Sequence, residues 1–391
     1  MLMPLTEAAP AQGAPLRCAM VAGEASGDLL AGLLLDGLRA RWPALVAQGI
    51  GGPDMAQRGF EAWWPHDALA VRGYVEVLRH YRGIVAIRAQ LQQRLLRDAP
   101  DVFIGVDAPD FNLALERALR QRGIRTVHFV CPSVWAWRAA RLDMIRASAD
   151  HVLCLFPFEP GLLHQHGIAA TYVGHPLAAV IPLIPDRRAA RTALGLDASA
   201  QVIALLPGSR RSEIAYLARR FFDTLLLLRK QRPAVRCVVP AVGALKQRLE
   251  QIAMEAGVAA HVQILAGQSH VVLAACDVVL VASGTATLEA ALFKRPMVIA
   301  YSMHWLSWQL MRRQRLQPWV GLPNILCRDF VVPEYLQEQA TPEALSAALL
   351  RWLDDGQAVT ALERRFTDLH HELLRDTPRL AADAIEQLLA A

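Results

Sequence analysis

The sequence has few charged residues and no run of 18 uncharged apolar residues. Charged residues make up 20% of the 391 residues, against 54% hydrophobic residues. A disordered chain needs the opposite balance, because low hydrophobicity and high charge prevent a core from forming. A membrane-spanning helix needs about 20 consecutive apolar residues. We therefore expect a folded protein with no transmembrane segment, and the length suffices for two domains.

Cysteine is scarce, and no two cysteines form a CxxC pair. The six cysteines are far apart: Cys18, Cys131, Cys154, Cys237, Cys276 and Cys327. We interpret them as reduced core residues in a reducing compartment. Residues 1–15 have neither a basic start nor an apolar core, so we expect a disordered tail and not a signal peptide. A cytoplasmic location is the resulting expectation.

The motifs of several common enzyme classes are missing. GxxxxGK[ST], HExxH and GxSxG do not occur, and Gly49–Asp54 (GIGGPD) has aspartate where a dinucleotide-binding loop needs its third glycine. The DxD pair that holds a metal in many sugar transferases is also missing, so we expect no metal and no cofactor. The net charge of +5 is too small to indicate nucleic-acid binding.

Short β-branched runs alternate with amphipathic helical patterns from Leu16 onward. The predicted strands are Cys18–Val21, Val102–Val106, Thr126–Val130, Val152–Leu155, Thr171–Val173, Val202–Leu206, Val235–Val239, Val262–Leu265, Val278–Val281 and Met297–Ala300. This rhythm predicts an α/β fold with two Rossmann-like parallel-sheet domains facing a central cleft. The expected divisions are an N-terminal domain at 16–176, a proline-rich linker at 177–190, a C-terminal domain at 191–360, and helices at 361–391 that pack back on the N-terminal domain or on a partner subunit.

The turn Ala22–Gly32 (AGEASGDLLAG) follows the first predicted strand. Its small residues allow a ligand to approach the backbone, and Asp28 near the helix start opposes the helix dipole. Glu24 has no helix to cap, which favours binding of substrate hydroxyls by Glu24 beside Ser26. An ordinary tight turn is the structural alternative.

A second turn, Leu205–Ile214 (LLPGSRRSEI), opens the C-terminal domain. Gly208 turns the chain, Ser209 and backbone N–H groups are expected to face outward, and Arg210 offers a forked cation for phosphate oxygens. An exposed arginine beside a helix start explains the spacing equally well.

A third turn, Ala282–Phe293 (ASGTATLEAALF), predicts an anion site without lysine. The expected donors and ligands are Ser283, Gly284, Thr285, Ala286, Thr287 and Glu289. A capping box would need serine or threonine three residues before Glu289, and alanine at position 286 weakens that explanation. Glu289 is placed to accept ribose hydroxyls from a nucleotide whose diphosphate lies on the turn.

Asp107 follows the predicted strand Val102–Val106, whereas Asp110 has an N-capping explanation. A carboxylate at the carboxyl end of a buried strand is a candidate general base, although solvated loop aspartates are common. His128 and His175 are weaker candidates, for which a structural role is at least as good an explanation.

Seven segments occur in a characteristic order: AGEASGD, IGVDAPDFN, PSVWAWR, GHP, LLPGSR, SGTATLEA and LPN. Together they resemble the lipid-A-disaccharide synthase family, inverting glycosyltransferases of the two-Rossmann B-type fold. The resemblance runs from about Leu16 to the C-terminus. Small departures are Cys131 where serine is usual, Arg72 where methionine is usual, and no acidic residue after GHPL.

The resemblance implies transfer of 2,3-diacylglucosamine from UDP-2,3-diacylglucosamine to the 6-hydroxyl of 2,3-diacylglucosamine 1-phosphate. It implies Asp107 as the base, Glu24 near the sugar, and Arg210, Glu289 and Asn324 in the UDP site. Dimers are frequent in the family, so a homodimer is an expectation. The alternatives are another two-Rossmann UDP-sugar enzyme, either an epimerase or a transferase with a soluble acceptor, and a nucleotide-sugar binding protein without turnover.

The segment Val71–Asp98 combines apolar residues at helical spacing with flanking arginines. We call six of its residues the apolar patch: Val75, Val77, Leu78, Tyr81, Ile84 and Val85. His304–Trp319 likewise mixes tryptophan with arginine, as interfacial segments do. The prediction is peripheral binding to the cytoplasmic face of the inner membrane, against the alternative of a helix docked on its own sheet.

Overall fold

The computed structural model describes residues 15–65, 69, 74–136 and 141–391. Contacts divide the chain into two units, the first made of residues 1–176 and 373–391 and the second of residues 177–372. The predicted linker, 177–190, therefore lies within the second unit by its contacts, and part of it is helical. The last residues of the chain belong to the first unit.

The first unit contains a parallel sheet of seven described strands. They are β1 Arg17–Ala22, β2 Val46–Gly51, β3 Glu61–Pro65, β4 Val102–Val106, β5 Arg125–Phe129, β6 His151–Cys154 and β7 Ala170–Tyr172, in the order β3-β2-β1-β4-β5-β6-β7. All six neighbouring pairs are parallel. The prediction missed β2 and β3, because the first is rich in glycine and the second has no fully buried residue.

Seven described helices accompany this sheet in the first unit. They are α1 Ala25–Arg41, α2 Pro53–Ala56, α3 Tyr74–Asp98, α4 Pro109–Arg120, α5 Arg141–Ser148, α6 Glu159–Gln165 and α17 Thr377–Ala390. Successive residues of β1 belong to different apolar clusters. Cys18 and Met20 lie in one cluster, and Ala19 and Val21 lie in the other. Since neighbouring side chains of a strand point to opposite faces, the sheet is covered on both faces, as predicted.

The second unit contains a parallel sheet of six described strands. They are β8 Val202–Leu206, β9 Arg236–Ala241, β10 Val262–Ala266, β11 Val278–Ala282, β12 Met297–Tyr301 and β13 Glu334–Leu336, in the order β10-β9-β8-β11-β12-β13. All five pairs are parallel. The prediction missed β13, which is only three residues long.

The remaining described helices belong wholly or mainly to the second unit. They are α7 Pro176–Val180, α8 Arg187–Ala193, α9 Arg211–Gln231, α10 Lys246–Glu255, α11 Ser269–Ala275, α12 Thr285–Leu292, α13 Trp305–Gln314, α14 Leu322–Cys327, α15 Pro342–Asp354 and α16 Gly356–Leu373. No helix among the described residues is both long and apolar enough to cross a membrane.

Helix α17 returns to the first unit and packs against α1. Its Ala381, Ala382 and Ile385 join the apolar cluster that includes Met20 of β1. The helices approach so closely that a Cβ at Gly37 would lie 2.1 Å from the carbonyl oxygen of Pro378. A glycine is therefore required in α1 at this contact.

Candidate functional site

Asp107 directly follows β4 and has a left-handed backbone conformation, with φ of +52°. Its N–H donates to the carbonyl oxygen of Phe129 at 2.8 Å, and its own carbonyl oxygen accepts from Nδ2 of Asn112 at 2.8 Å. The residue is half-buried, and among the described residues no hydrogen-bond or ion-pair partner of its carboxylate is found. The backbone is thus held firmly while the carboxylate is left able to accept a proton.

Glu24 and Ser26, at the start of α1, are both exposed. Glu24 is the N-cap residue, but its carboxylate makes no capping hydrogen bond. The expectation that Glu24 has no helix to cap is therefore wrong, since Glu24 stands at the N-cap of α1 and its carbonyl oxygen accepts from the N–H of Asp28 at 2.9 Å. Binding of substrate hydroxyls by its carboxylate stays a prediction.

Asp28 is buried and binds the start of another helix, a contact that the sequence analysis did not predict. Its carboxylate accepts from the N–H groups of Gly52 (2.7 Å), Asp54 (2.9 Å) and Met55 (3.2 Å). The donors at the start of α2 are therefore occupied by the protein's own carboxylate. The GIGGPD segment, which contains two of them, is for this reason unsuited to hold a phosphate in this conformation.

The turn before α9 differs from its prediction in its donors. The N–H groups of Ser209 and Arg210 do not face outward free, because both donate to the Glu213 carboxylate, at 2.9 and 3.2 Å. Gly208 has φ of +121°, and a Cβ there would lie 2.4 Å from Cβ of Glu213. The Arg210 side chain is 77% exposed, and its guanidinium, 3.8 Å from the Glu213 carboxylate, is accessible to a ligand.

The turn before α12 is the stronger candidate for an anion site. Among the described residues, no hydrogen bond is found for the N–H groups of Gly284, Thr285 and Ala286 or for the Thr285 hydroxyl. Gly284 and Thr285 are exposed. Unpaired N–H groups at a helix start attract anions, and here they lie in the longest run of consecutive predicted site residues.

Two of the predicted hydroxyl donors of this turn are used internally. Ser283 donates its N–H to Ala300 (3.0 Å) and its hydroxyl to the carbonyl oxygen of Val320 (3.1 Å). Thr287 is fully buried and donates its hydroxyl to the carbonyl oxygen of Gly284 at 2.7 Å. Both side chains shape the turn, so anion binding depends on the backbone and Thr285.

Glu289 lies half-buried on α12, one turn beyond the free N–H groups. Its Oε2 is 3.6 Å from Nε2 of His270 at the start of α11, and the His270 ring packs 5.3 Å from Phe293. Sequence reasoning missed His270. The signal that could have found it is a fourth strand-to-helix turn, GQSH at 267–270, which follows β10.

Asn324 is fully buried, and its amide is saturated by protein contacts. Nδ2 donates to Val332 (2.9 Å) and Glu334 (2.8 Å), and Oδ1 accepts from the N–H groups of Val331 and Val332 at 2.9 Å. Glu334 in turn accepts from the N–H groups of Val320 and Gly321, both at 2.9 Å. Every hydrogen-bonding site on the Asn324 amide is thus taken within the protein, and the place of Asn324 in the UDP site stays a prediction.

This network links Asn324 to the α12 turn. Glu334 holds the segment whose Val320 carbonyl accepts the Ser283 hydroxyl. Burial raises the pKa of Glu334, and its three hydrogen-bond donors oppose that rise. Asn324 thus supports the α12 turn through Glu334 and the Val320 segment.

His128 and His175 are buried within the first unit. His128 contacts Glu116, and the His175 ring stacks 5.6 Å from Phe156. Burial lowers the pKa of His175 to about 4, so it stays neutral. Both environments agree with the structural interpretation.

Cys131, Cys154 and Glu159 bring their ligand atoms within 4.8 Å of one another. Burial raises the pKa of Glu159 to about 8 and raises that of the Cys154 thiol, so the charged, metal-ligating forms are disfavoured. Glu159 also accepts from Trp135 Nε1 (2.9 Å) and from the N–H of Phe156 (3.0 Å). The group is explained as a hydrogen-bonded part of the core.

The apolar patch lies on α3. Ile84 and Val85 are half-buried, and Ile84 packs against the core cluster that contains Phe103 and Leu91. Four side chains of the patch are not among those that the structure describes: Val75, Val77, Leu78 and Tyr81. Arg72 lies wholly outside the described residues. In α13, Trp305 and Leu310 are exposed.

Two parallel-sheet α/β domains define the class of two-Rossmann folds, to which B-type glycosyltransferases and sugar-nucleotide epimerases belong. One similar solved structure is the UDP-GlcNAc 2-epimerase from Neisseria meningitidis bound to UDP-GlcNAc (TM-score 0.65, 11% identity, 97% of this chain and 100% of that chain). Another is WaaG, a glycosyltransferase involved in lipopolysaccharide biosynthesis (TM-score 0.56, 15% identity, 95% of this chain and 98% of that chain). These likenesses establish the fold.

Sequence comparison identifies the family. The model of the family described as lipid-A-disaccharide synthetase matches residues 18–385. A lipid-A-disaccharide synthase from Verminephrobacter eiseniae is 66% identical over 386 residues, 97% of this chain and 99% of its own. One from Burkholderia thailandensis is 54% identical over 379 residues, which cover 97% of this chain and 98% of its own. The chain belongs to the lipid-A-disaccharide synthetase family and is a glycosyltransferase, as the seven segments predict.

Proposed function

We propose that the protein transfers 2,3-diacylglucosamine from UDP-2,3-diacylglucosamine to the 6-hydroxyl of 2,3-diacylglucosamine 1-phosphate. The products are a β-1,6-linked tetraacyl disaccharide 1-phosphate and UDP. The observation that carries this proposal is the 66% identity to a lipid-A-disaccharide synthase across almost the whole of both chains. Such a transfer needs a base and donors for the diphosphate, and within the described residues the Asp107 carboxylate and three N–H groups at α12 have no partner.

In the proposed mechanism, Asp107 accepts the proton of the acceptor's 6-hydroxyl. The oxygen attacks the anomeric carbon from the face opposite UDP, the bond to the UDP oxygen breaks, and the configuration inverts. A general base at this step typically contributes about 10²–10⁴-fold in rate. Glu24 is proposed to accept sugar hydroxyls, as its exposed, uncapped carboxylate allows.

Negative charge grows on the diphosphate as UDP departs. We assign its stabilisation to the N–H groups of Gly284, Thr285 and Ala286 and to the exposed guanidinium of Arg210. Preorganised donors of this kind are worth roughly 3–4 kcal/mol each in other enzymes. Glu289 is proposed to accept the ribose hydroxyls, with His270 beside it to fix its orientation.

No metal is part of the proposal, since the acidic DxD pair is missing from the sequence. Excess EDTA should leave the rate unchanged, and a strict dependence on added Mg²⁺ or Mn²⁺ would contradict this part.

Peripheral attachment to the cytoplasmic face of the inner membrane is a separate part of the proposal. Its support is the apolar patch with its flanking arginines and the acyl chains of the proposed substrates. Assembly as a homodimer is proposed from the family resemblance, and sedimentation equilibrium of the purified chain would test it.

The deciding experiment is incubation of the purified protein with both diacyl substrates. Mass spectrometry should detect equal amounts of UDP and tetraacyl disaccharide 1-phosphate. Deacylated sugars in a parallel reaction separate the proposal from its alternative, a transferase with a soluble acceptor. UDP released with no disaccharide, or an epimerised UDP-sugar, would refute the proposed function.

A further inference from the structure

Three polar side chains lie completely buried behind Asp107: Asn112 and Glu116 on α4 and His128 on β5. Nδ1 of His128 lies 2.7 Å from Oε1 of Glu116, within hydrogen-bond distance. Asn112, four residues before Glu116 and so on the same face of α4, donates to the carbonyl oxygen of Asp107 at 2.8 Å. The contacts run in sequence from β5 through α4 to the residue proposed as the base.

The packing leaves α4 little freedom to shift. A Cβ at Gly105, in the middle of β4, would lie 2.1 Å from Oε1 of Glu116 and 2.8 Å from Cβ of Asn112. Only glycine at position 105 lets these two side chains enter the space above the strand. The helix face that carries them is therefore in direct contact with the strand that ends at Asp107.

The backbone at this point is strained. Asp107 and Ala108 have φ of +52° and +42°, and Val130, next to the Phe129 carbonyl that accepts from Asp107, has φ of +81°. A β-branched residue with positive φ is a conformational outlier. Strain of this kind persists only where the surroundings over-determine it, and it clusters at functional sites.

The buried network is not optimised for stability. Asn112 Oδ1, Glu116 Oε2 and His128 Nε2 are buried and have no hydrogen-bond partner among the described residues. A half-satisfied buried network is less favourable than an apolar core of the same volume. Its retention behind Asp107 needs another explanation than folding free energy.

We propose that Asn112, Glu116 and His128 are positioning residues that fix the strained backbone of Asp107 and so aim its carboxylate. The contact between His128 and Glu116 keeps α4 in place against β5. Asn112, on the same helix, then hydrogen-bonds the carbonyl oxygen of Asp107. This inference rests on the proposed function, because it assigns the network to the same reaction.

The test compares kcat and KM of three variants with the diacyl substrates. Asn112→Ala and His128→Leu should lower kcat at least tenfold, because the carboxylate loses its fixed direction. KM for the UDP-sugar should stay within twofold, since the proposed UDP site is in the other unit. His128→Asn should retain at least a third of the wild-type kcat, because an amide can hydrogen-bond Glu116 in place of Nδ1 whichever group is the donor.

Thr126→Val is the matched control. Thr126 is fully buried on β5, two residues from His128, and donates to the carbonyl oxygen of Ser148 at 2.9 Å without touching the network. This variant should lose thermal stability like the others and keep kcat within twofold.

The outcomes separate the two proposals. Near wild-type kcat in Asn112→Ala and His128→Leu, or an equal loss of kcat in Thr126→Val at equal melting temperature, overturns the positioning role and leaves the reaction intact. If His128→Leu does not fold, Asn112→Ala decides. A wild-type protein that makes no disaccharide refutes the reaction, and the inference falls with it.

Discussion

In Asp107 the main-chain groups are hydrogen-bonded and the carboxylate is not, whereas most acidic side chains in the described part of the chain have a partner. Its main-chain N–H and carbonyl oxygen are both paired, at 2.8 Å each, while its carboxylate has no partner among the described residues. Asp28 shows the opposite arrangement, with a carboxylate that is fully used by three N–H groups. At the scale of the residue, this contrast separates a candidate base from a structural carboxylate.

Asp107→Asn should abolish turnover while leaving the fold and UDP affinity intact. The change removes a base and almost no volume, and loss of a general base typically costs about 10²–10⁴-fold. Steady-state kinetics, calorimetry with UDP and the melting temperature measure the three quantities. A variant with even a tenth of the wild-type kcat would show that Asp107 is not the sole base.

Arg210→Ala should weaken UDP binding, because Arg210 is the arginine of this turn that is proposed to contact the diphosphate and its side chain is 77% exposed. Loss of a hydrogen bond to a charged group typically costs about 1.5–3 kcal/mol, or roughly 10–150-fold in Kd. The neighbouring Arg211, which is also exposed, gives the matched control Arg211→Ala. Equal affinities of both variants for UDP, measured by calorimetry, would place the nucleotide elsewhere.

At the scale of the element, helix starts with similar sequences differ in whether a carboxylate of the protein already accepts from their N–H groups. The donors before α9 are taken by Glu213, four residues after Ser209, and those of α2 are taken by Asp28. At α12 the N–H groups of Gly284, Thr285 and Ala286 are unpaired among the described residues. The side chain that reaches the helix start therefore decides which turn can receive an anion.

Helix α3 carries the proposed contact with the membrane. Replacing Val77, Leu78 and Tyr81 with serine should release the protein from vesicles that contain anionic lipid, since it removes apolar area between flanking arginines. Ile84 is left unchanged in this variant because it packs on the core. Co-sedimentation with vesicles and the melting temperature are the two measurements.

Two further variants control the vesicle experiment. Met254→Ser, on α10, removes an apolar side chain that is 64% exposed and should not change binding. Ile84→Ser should lower the melting temperature. If the triple variant still binds, or if it unfolds, the segment is part of the core and the membrane proposal is lost.

At the scale of the whole molecule, the chain leaves its first unit after residue 176 and re-enters it at residue 373. The stability of the first unit therefore depends on the last helix of the chain. Ile385→Ala should destabilise that unit by roughly 2–5 kcal/mol, the usual range when a buried isoleucine is truncated to alanine. Ile385 is 1% exposed and joins the same cluster as Met20.

Chemical denaturation followed by hydrogen exchange would measure this effect unit by unit. Gln387→Ala, on the exposed face of the same helix, is the control and should change stability little. UDP affinity should be unchanged in Ile385→Ala, since the proposed UDP site lies in the other unit. Equal destabilisation by both substitutions would mean that α17 is not part of the first core.

Much of the architecture follows from local pattern. Continuous apolar runs such as Val278–Ala282 are buried on both faces, so their periodicity already indicates covered parallel strands. Strands with a weak pattern were missed, because β3 is partly exposed and β13 is too short for any periodicity. The seven segments in order were sufficient to assign the family.

The roles of individual polar groups were decided by contacts between residues far apart in the sequence. Asn324 stood in a recognisable segment, yet its amide is saturated by residues 331, 332 and 334. His270 and Glu289 are separated by 19 positions and meet only because α11 and α12 pack together. A hydrogen bond depends on distance and direction in space, which spacing along the chain does not specify. Segment order therefore sufficed to indicate the reaction, whereas folding settled which donors are left unpaired for a ligand.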